Sequence, residues 1–299
     1  MPAMTTARTG TGSSLLLFLS FFFLPTAHAG TSGVFSGLDD IKFWSGSGTN
    51  RAALLIQWND GGTPSSLVWG FRWNGTATGI DMIRAVAGSS EIRNPAGALL
   101  SSTHGSDPRL STVWTAYNFG DALDAVSWKS GGTYRGQVDW NAGYWQYSIY
   151  GGRLEYDQYD ENWQWVGSAT YDQSGTSLYP GTSWFSSPVG AGDRPLVNEA
   201  WDAWSFAAGF VPVSIASPQP ASIPAPVVKS IRFRSPTQLE IVFQTAPNVS
   251  YQLESTMDLQ GSDWVSRGTT FVASGPETVL TVTTQPQNLR EFYRLKQFP

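Results

Sequence analysis

The residues of this chain best placed to do chemistry lie in Arg153 to Trp165, RLEYDQYDENWQW. Glu155, Asp157, Asp160 and Glu161 supply four carboxylates within seven positions, interleaved with Tyr156, Tyr159, Trp163 and Trp165. Paired carboxylates around aromatic rings are what glycoside hydrolysis requires, one acting as acid and the other as base or nucleophile. The same oxygens, Asp157, Asp160 and Glu161 above all, suit a hard cation such as calcium, although the spacing departs from the alternating ligands of an EF-hand loop. A third reading is a solvated acidic turn between two strands. On any of these readings Tyr156, Tyr159 and Trp163 sit in a polar setting and are expected to face solvent.

The rings extend beyond that segment. Trp140, Tyr144, Trp145, Tyr147 and Tyr150 lie just upstream, and of the 14 tryptophans 13 fall between Trp44 and Trp204. Tyrosine and tryptophan join a flat apolar face to a polar tip, which suits neutral amphipathic ligands such as sugars. Tyr144, Trp145, Tyr156, Tyr159 and Trp163 are therefore the candidate ligand contacts. Alternation along Tyr144 to Tyr150 sends Trp145, Tyr147 and Ile149 to one face and Tyr144, Gln146, Ser148 and Tyr150 to the other.

Other catalytic arrangements find little support. Beyond residue 29 the only histidine is His104, in a polar stretch with Ser101, Ser102 and Asp107, and neighbours in one loop rarely build a triad. With no cysteine in the chain, thiolate catalysis, disulfides and zinc-thiolate sites are excluded. Ser45 to Asn50, SGSGTN, has the glycines of a phosphate loop, but a strand follows it where a helix is needed. No cofactor is expected beyond calcium.

The elements that position these residues are organised around Ala52 to Trp73. Asn59 to Pro64, NDGGTP, is a turn cluster between two strand-like runs. In the second run Leu67, Trp69, Phe71 and Trp73 share one face, opposite Ser66, Val68, Gly70 and Arg72, the pattern of a half-buried strand. Thr78 to Ala87 reads as the one docked helix, with Thr78 as cap and Ile80, Ile83 and Val86 or Ala87 as its apolar stripe. Gly88-Ser89-Ser90 ends it, and residues 91–108 read as a long loop broken at Asn94-Pro95 and Asp107-Pro108. Strands are then expected at 112–118, 125–128, 144–150, 164–171 and 201–210, the last with a short helix as its alternative. Ser214 to Pro226, with four prolines and no charge, reads as a spacer. Beyond it, six short strands are expected between 228 and 295, enough for a small sandwich. The fold class is thus mainly β: an aromatic-rich domain over 30–213, a Pro-rich linker over 214–226 and a β-sandwich over 227–299.

Residues 1–29 carry Arg8, the ten-residue apolar run Leu15 to Leu24 and Ala27-His28-Ala29, the three parts of a secretory signal peptide. The run is too short to span a bilayer, so the mature chain is expected outside the cell, without a membrane span. Without Arg8, 17 basic and 23 acidic residues remain, a balance that argues against nucleic acid as a partner.

Tyr251-Gln252-Leu253-Glu254, Asp258-Leu259, Trp264 and Phe292-Tyr293-Arg294-Leu295 resemble the small fibronectin-type-III-like modules at the ends of bacterial secreted and surface proteins. That resemblance covers about 227–299 and implies a spacer or attachment role. Asn50 to Trp58, Leu67 to Trp73, Asp81-Met82, Asp107 to Leu110 and Trp201 to Phe206 look like an uncharacterised bacterial secreted domain type. Proteins with these pieces often end in a sorting tail; Lys296 to Pro299 is not one, so anchoring by that route is not expected. The helix Thr78 to Ala87 ahead of Tyr144-Trp145-Gln146-Tyr147 is similar to the small β domain of cobalamin carriers, which implies a bulky planar ligand such as a corrinoid. The residues alone favour a secreted or cell-surface, non-catalytic carbohydrate binder. The corrinoid carrier, a carboxylate-dependent glycosidase and a purely structural extracellular protein are its alternatives.

Overall fold

The computed structural model describes residues 35–118, 120–130, 132–138, 142–259, 263–284 and 291–298. The expected signal peptide and Trp140 lie outside them. In chain order the elements are β1 (Trp44–Gly46), β2 (Asn50–Gln57), β3 (Ser66–Trp73), α1 (Gly79–Val86), β4 (Ala87–Arg93), β5 (Leu99–Thr103), β6 (Asp107–Tyr117), β7 (Gly120–Ser130) and β8 (Thr133–Val138). There follow β9 (Gly143–Tyr150), β10 (Gly152–Tyr159), β11 (Trp165–Gln173), β12 (Phe185–Ser186), β13 (Ala200–Ala208) and β14 (Gln219–Pro220). The last seven are β15 (Val227–Ser235), β16 (Gln238–Gln244), β17 (Ser250–Thr256), β18 (Val265–Ser266), β19 (Phe271–Val272), β20 (Glu277–Thr283) and β21 (Phe292–Phe298). The protein is mainly β, with α1 the one α-helix among the described residues.

A mixed seven-stranded sheet forms the centre, in the order β1-β3-β2-β13-β9-β12, with β14 beside β1 on the outer edge of β3. The expected hairpin is there: β2 and β3 pair antiparallel from Asn50↔Trp73 to Gln57↔Ser66. It is not half-buried, however. Ser66, Val68 and Gly70, assigned by alternation to the second face, are buried as well. A continuous apolar run such as AALLI in β2 fits a strand covered on both faces.

One face is covered by α1 and by a five-stranded sheet, β5-β4-β6-β7-β8. Trp114 of β6 meets Trp204 of β13 edge to face at 5.7 Å, the Trp69 indole donates to Asp107 at 2.8 Å, and the Trp58 indole donates to the Val126 carbonyl at 3.2 Å. The opposite face carries a smaller cluster in which Phe35, Leu38 and Ile41 pack on Ala53, Val68 and Trp201.

The helix starts as expected. Thr78 and Asp81 form a reciprocal capping box, and Ile80, Met82, Ile83 and Val86 are buried. Residues 91–108 are not a long loop, since they run through β4, β5 and the start of β6. Asn94-Pro95 makes only the turn between β4 and β5, where the Asn94 carboxamide accepts the Ala98 N–H at 2.9 Å. Pro108 sits second in β6, a strand-start position where a missing N–H is tolerated. Residues 201–210 resolve as strand β13, which ends at Ala208, and not as helix.

The Pro-rich stretch 214–226 is extended, but it straps the sheet and does not hang free. The Gln57 carboxamide donates to the Ser214 carbonyl at 3.0 Å and accepts the Ala216 N–H at 2.7 Å. β14 then pairs with Leu67 and Val68, and the Arg109 guanidinium donates to the Ser222 carbonyl at 2.5 Å. The C-terminal strands form a sandwich-like pair of sheets, β15-β16-β20 and β18-β17-β21 with β19 also on β17, closed over Leu239, Ile241, Phe243, Tyr251, Leu253 and Leu295.

Candidate functional site

β10 and β11 form a two-stranded ribbon separate from the larger sheets, paired from Gly152↔Gln173 to Tyr159↔Trp165. Glu155 and Asp157, read as part of a turn, therefore belong to a strand. The turn is confined to Asp160 to Gln164. There the Asp160 carboxylate accepts the N–H groups of Asn162 and Gln164, each at 2.9 Å, and the Trp163 N–H closes on the Asp160 carbonyl at 3.0 Å. These bonds hold Trp163 at φ 59°, in the left-handed region that a bulky residue seldom enters. Its indole is thrown outward and is 83% exposed.

The two faces of the ribbon differ. Leu154, Tyr156 and Tyr171 turn inward. Leu154 is buried, and Phe185 stacks on Tyr171 at 4.5 Å and lies 6.0 Å from Tyr156. Tyr159 and Trp165, opposite one another across the strands, face outward and are 54% and 62% exposed. Asp157 orients this face, accepting the Trp165 indole N–H at 3.1 Å and the Ser168 hydroxyl at 2.8 Å. The register slips between Gln158 and Tyr159, and that irregularity leaves Val166 exposed beside the rings.

A buried polar network roots the ribbon in the central sheet. The Tyr147 hydroxyl donates to Asp202 at 2.5 Å, and Arg194 Nε lies 3.5 Å from the other Asp202 oxygen, all three side chains being buried. Arg194 also donates to the carbonyl of Pro195 at 2.7 Å and to that of Gly151, the residue before β10. The Tyr171 hydroxyl accepts the Gly151 N–H at 3.0 Å. Gly152 has φ 99°, and a Cβ there would strike the Arg194 guanidinium, so glycine is required on both counts. Burial pushes the Asp202 carboxyl above its ordinary range, while Arg194 and Tyr147 pull it back; burial and the Asp202 charge raise the Tyr147 hydroxyl.

Of the expected ligand contacts, the structure exposes Tyr159 and Trp163 and half-buries Tyr156 against Phe185. Tyr144 lies apart from the ribbon and stacks on Phe210 at 6.3 Å. Trp145 is a correction: it is buried against Phe206 at 5.4 Å and offers no face to a ligand, because alternation along β9 points it into the core. Trp165 is the ring the short set missed, and its partnership with Asp157 becomes visible only once the strands are registered.

Asp157, Asp160 and Glu161 do not converge. Asp157 and Asp160 spend oxygens on the ribbon itself, and among the described residues no three His, Cys, Asp or Glu side chains gather as an ion would require. Glu155, Asp157, Asp160 and Glu161 all face solvent on the ribbon and its turn. His104 is exposed, while Asp107 is buried with Arg109 at 2.8 Å, so these two are not joined in a triad. What the ribbon offers chemically is stacking surface edged by hydrogen-bonding groups. No protein-family model matches the chain, and no match is found among curated proteins.

Proposed function

We propose that this is an exported, non-catalytic binding protein whose β10–β11 ribbon stacks the rings of a carbohydrate. The observation that carries this reading is Trp163, held with a left-handed backbone at the tip of the ribbon and 83% exposed. An indole left in water in this way costs favourable burial, and a backbone strained to keep it there suggests selection for contact with something else. Tyr159 and Trp165 extend the surface, and Gln158, Asn162 and Gln164 bring amides to its rim, where sugar hydroxyls need partners. Export rests on the leader read over residues 1–29; no helix among the described residues is long and apolar enough to cross a membrane. The C-terminal sheets then serve as a fibronectin-type-III-like spacer or attachment module.

The test is a glycan array and polysaccharide pull-down with the chain after removal of the leader, followed by titration of Trp163→Ala and Trp165→Ala. Each substitution is expected to weaken binding by about tenfold, or about 1.4 kcal/mol, with thermal stability unchanged. Uniform absence of binding, or full binding by the Trp163→Ala/Trp165→Ala double variant, overturns it.

A further inference from the structure

At the other edge of the central sheet, β1, the β1–β2 loop and the strap meet the C-terminal sheets around a cavity of about 470 Å³. Its wall includes Lys42, Trp44, Ser47, Arg72, Asn248 and Phe298, with no carboxylate among the lining side chains. The chain as a whole has a net charge of −5, so a cleft lined by two cations and no anion runs against its overall balance.

Arg72 is the exception among the arginines. Of the twelve described, eleven lie within ion-pair distance of a carboxylate, and Arg72 has no such partner among the described residues. It is nevertheless fixed. Its guanidinium lies over the Trp44 ring, 4.7 Å from the centroid. The Trp44 indole N–H donates to the Ile41 carbonyl at 2.9 Å, and the ring lies flat against Gly70, where any Cβ would run into it. Gly70, Trp44 and Arg72 form a stack that presents a planar five-donor fork to the cavity with its side-chain entropy already reduced. Across the gap, the Asn248 carboxamide donates to the Gly46 carbonyl at 2.9 Å, which leaves its oxygen as an acceptor. Phe298 supplies a second apolar face.

We infer that this cleft is a second ligand site, specific for a sugar acid: a pyranose ring carrying a carboxylate. The Arg72 fork takes the carboxylate in bidentate fashion, Lys42 adds charge, Trp44 and Phe298 contact the ring, and Asn248 with Ser47 reads hydroxyls. The volume lies within the range of small-molecule sites. The sugar half of this inference rests on the carbohydrate reading of the ribbon; the oxyanion half stands without it.

The experiment is an NMR titration of the indole N–H signals of the ¹⁵N-labelled chain without its leader, with glucuronate, glucose and inorganic sulfate as probes. Glucuronate is expected to shift the Trp44 signal saturably, and glucose is not. Arg72→Ala should weaken glucuronate by about tenfold or more, Arg72→Lys should recover part of that loss, and Trp163→Ala should change nothing. Glucuronate binding that survives Arg72→Ala, or no binding by the folded parent, overturns the site; neutral polysaccharide retained on the ribbon would then show that the first reading is intact. Sulfate shifting Trp44 as strongly as glucuronate overturns the sugar half. Cleft binding in a chain that fails every polysaccharide pull-down keeps the site and rejects the ribbon.

Discussion

Replacing Asp202 with alanine tests whether the ribbon is held by a buried ion pair. Asp202 is about as buried as a residue can be, and it faces the equally buried Arg194 on one side and the Tyr147 hydroxyl on the other. Tyr147→Phe removes one hydrogen bond to a charged acceptor, worth about 1.5–3 kcal/mol, and leaves the stack of Tyr147 on Trp204, with centroids 4.4 Å apart, in place. Asp202→Ala goes further. Arg194 keeps its two carbonyl acceptors but loses the one carboxylate within ion-pair distance among the described residues, at a buried site, and breaking such a pair costs about 3–5 kcal/mol. Replacing both members together, as Arg194→Met with Asp202→Leu, should recover only part of that loss: the orphaned charge disappears with its partner, but the Tyr147 hydroxyl and the Gly151 and Pro195 carbonyls lose theirs. Urea unfolding followed by tryptophan fluorescence reads all three, with an unchanged denaturant slope as the check on comparability. Because Arg194 also holds the Gly151 carbonyl, Asp202→Ala should speed amide exchange in β10 more than in β2. An Asp202→Ala cost no larger than that of Tyr147→Phe would refute the reasoning, since it would mean that Arg194 does not depend on this charge.

Three further outcomes follow from the same kind of argument. The hydrogen bonds of Arg135 hold the Asp60 carboxyl below its ordinary value of 3.8, so its contribution is complete above that pH and is lost as pH falls through the lower native value; Asp60→Asn should cost about 1.5–3 kcal/mol at neutral pH and flatten the acid limb of the stability curve below about pH 4. Thr78→Ala breaks the capping box of α1 and should lower stability by about 1 kcal/mol in urea unfolding, with no change in ligand binding. Gln57→Ala removes both carboxamide bonds to the strap, and limited proteolysis read by mass spectrometry should show faster cleavage within 214–226 while β2 remains protected.

The parts of the fold legible in the sequence were those with local signals. The turn cluster at Asn59 to Pro64 places the β2–β3 hairpin, Thr78 with Asp81 places the start of α1, and clean alternation places β9. What stayed hidden depended on partners distant in sequence. β4 and β5 carry weak, polar strand patterns and become strands because β4 has β6 beside it, in parallel, across an insertion that two Xaa-Pro pairs make look like loop. The second face of β3 looked polar because Ser66, Gly70 and Arg72 are on it, yet the chain brings back Trp44 and the strap to cover it. The same limit applies to the site. Exposure of Tyr159 and Trp163 could be argued from their acidic neighbours, whereas the burial of Trp145 follows only from knowing which face of β9 meets Phe206. The Arg72 cleft left almost no local trace, because its walls come from residues 42–72, the strap and the C-terminal sheets.

These placements constrain where a ligand can act. The central sheet is covered on one face by α1 and the five-stranded sheet, and on the other by residues 35–41, the 176–184 segment and the strap. Its tryptophans, Trp69, Trp201 and Trp204 among them, are therefore committed to holding layers together, and a composition rich in rings does not by itself signify a binding face. Of the central sheet's own surface among the described residues, the edges remain. Five strand spacings separate β1 from β12, roughly 24 Å, and at the two ends the chain does opposite things. Against β12, through Phe185, it packs a ribbon whose outward rings, Tyr159, Trp163 and Trp165, are uncovered, a geometry suited to lying along a polymer. Beyond β1 it folds a second sheet system over a fixed, unpaired guanidinium, a geometry suited to enclosing one charged unit. On the two proposals above, an acidic polysaccharide would satisfy both ends with one molecule, rings on the ribbon and a uronate in the cleft. Occupancy of both by one chain would make binding bivalent, so oligomers long enough to bridge the sheet should bind far more tightly than short ones, with a break in affinity at that length and not a smooth rise.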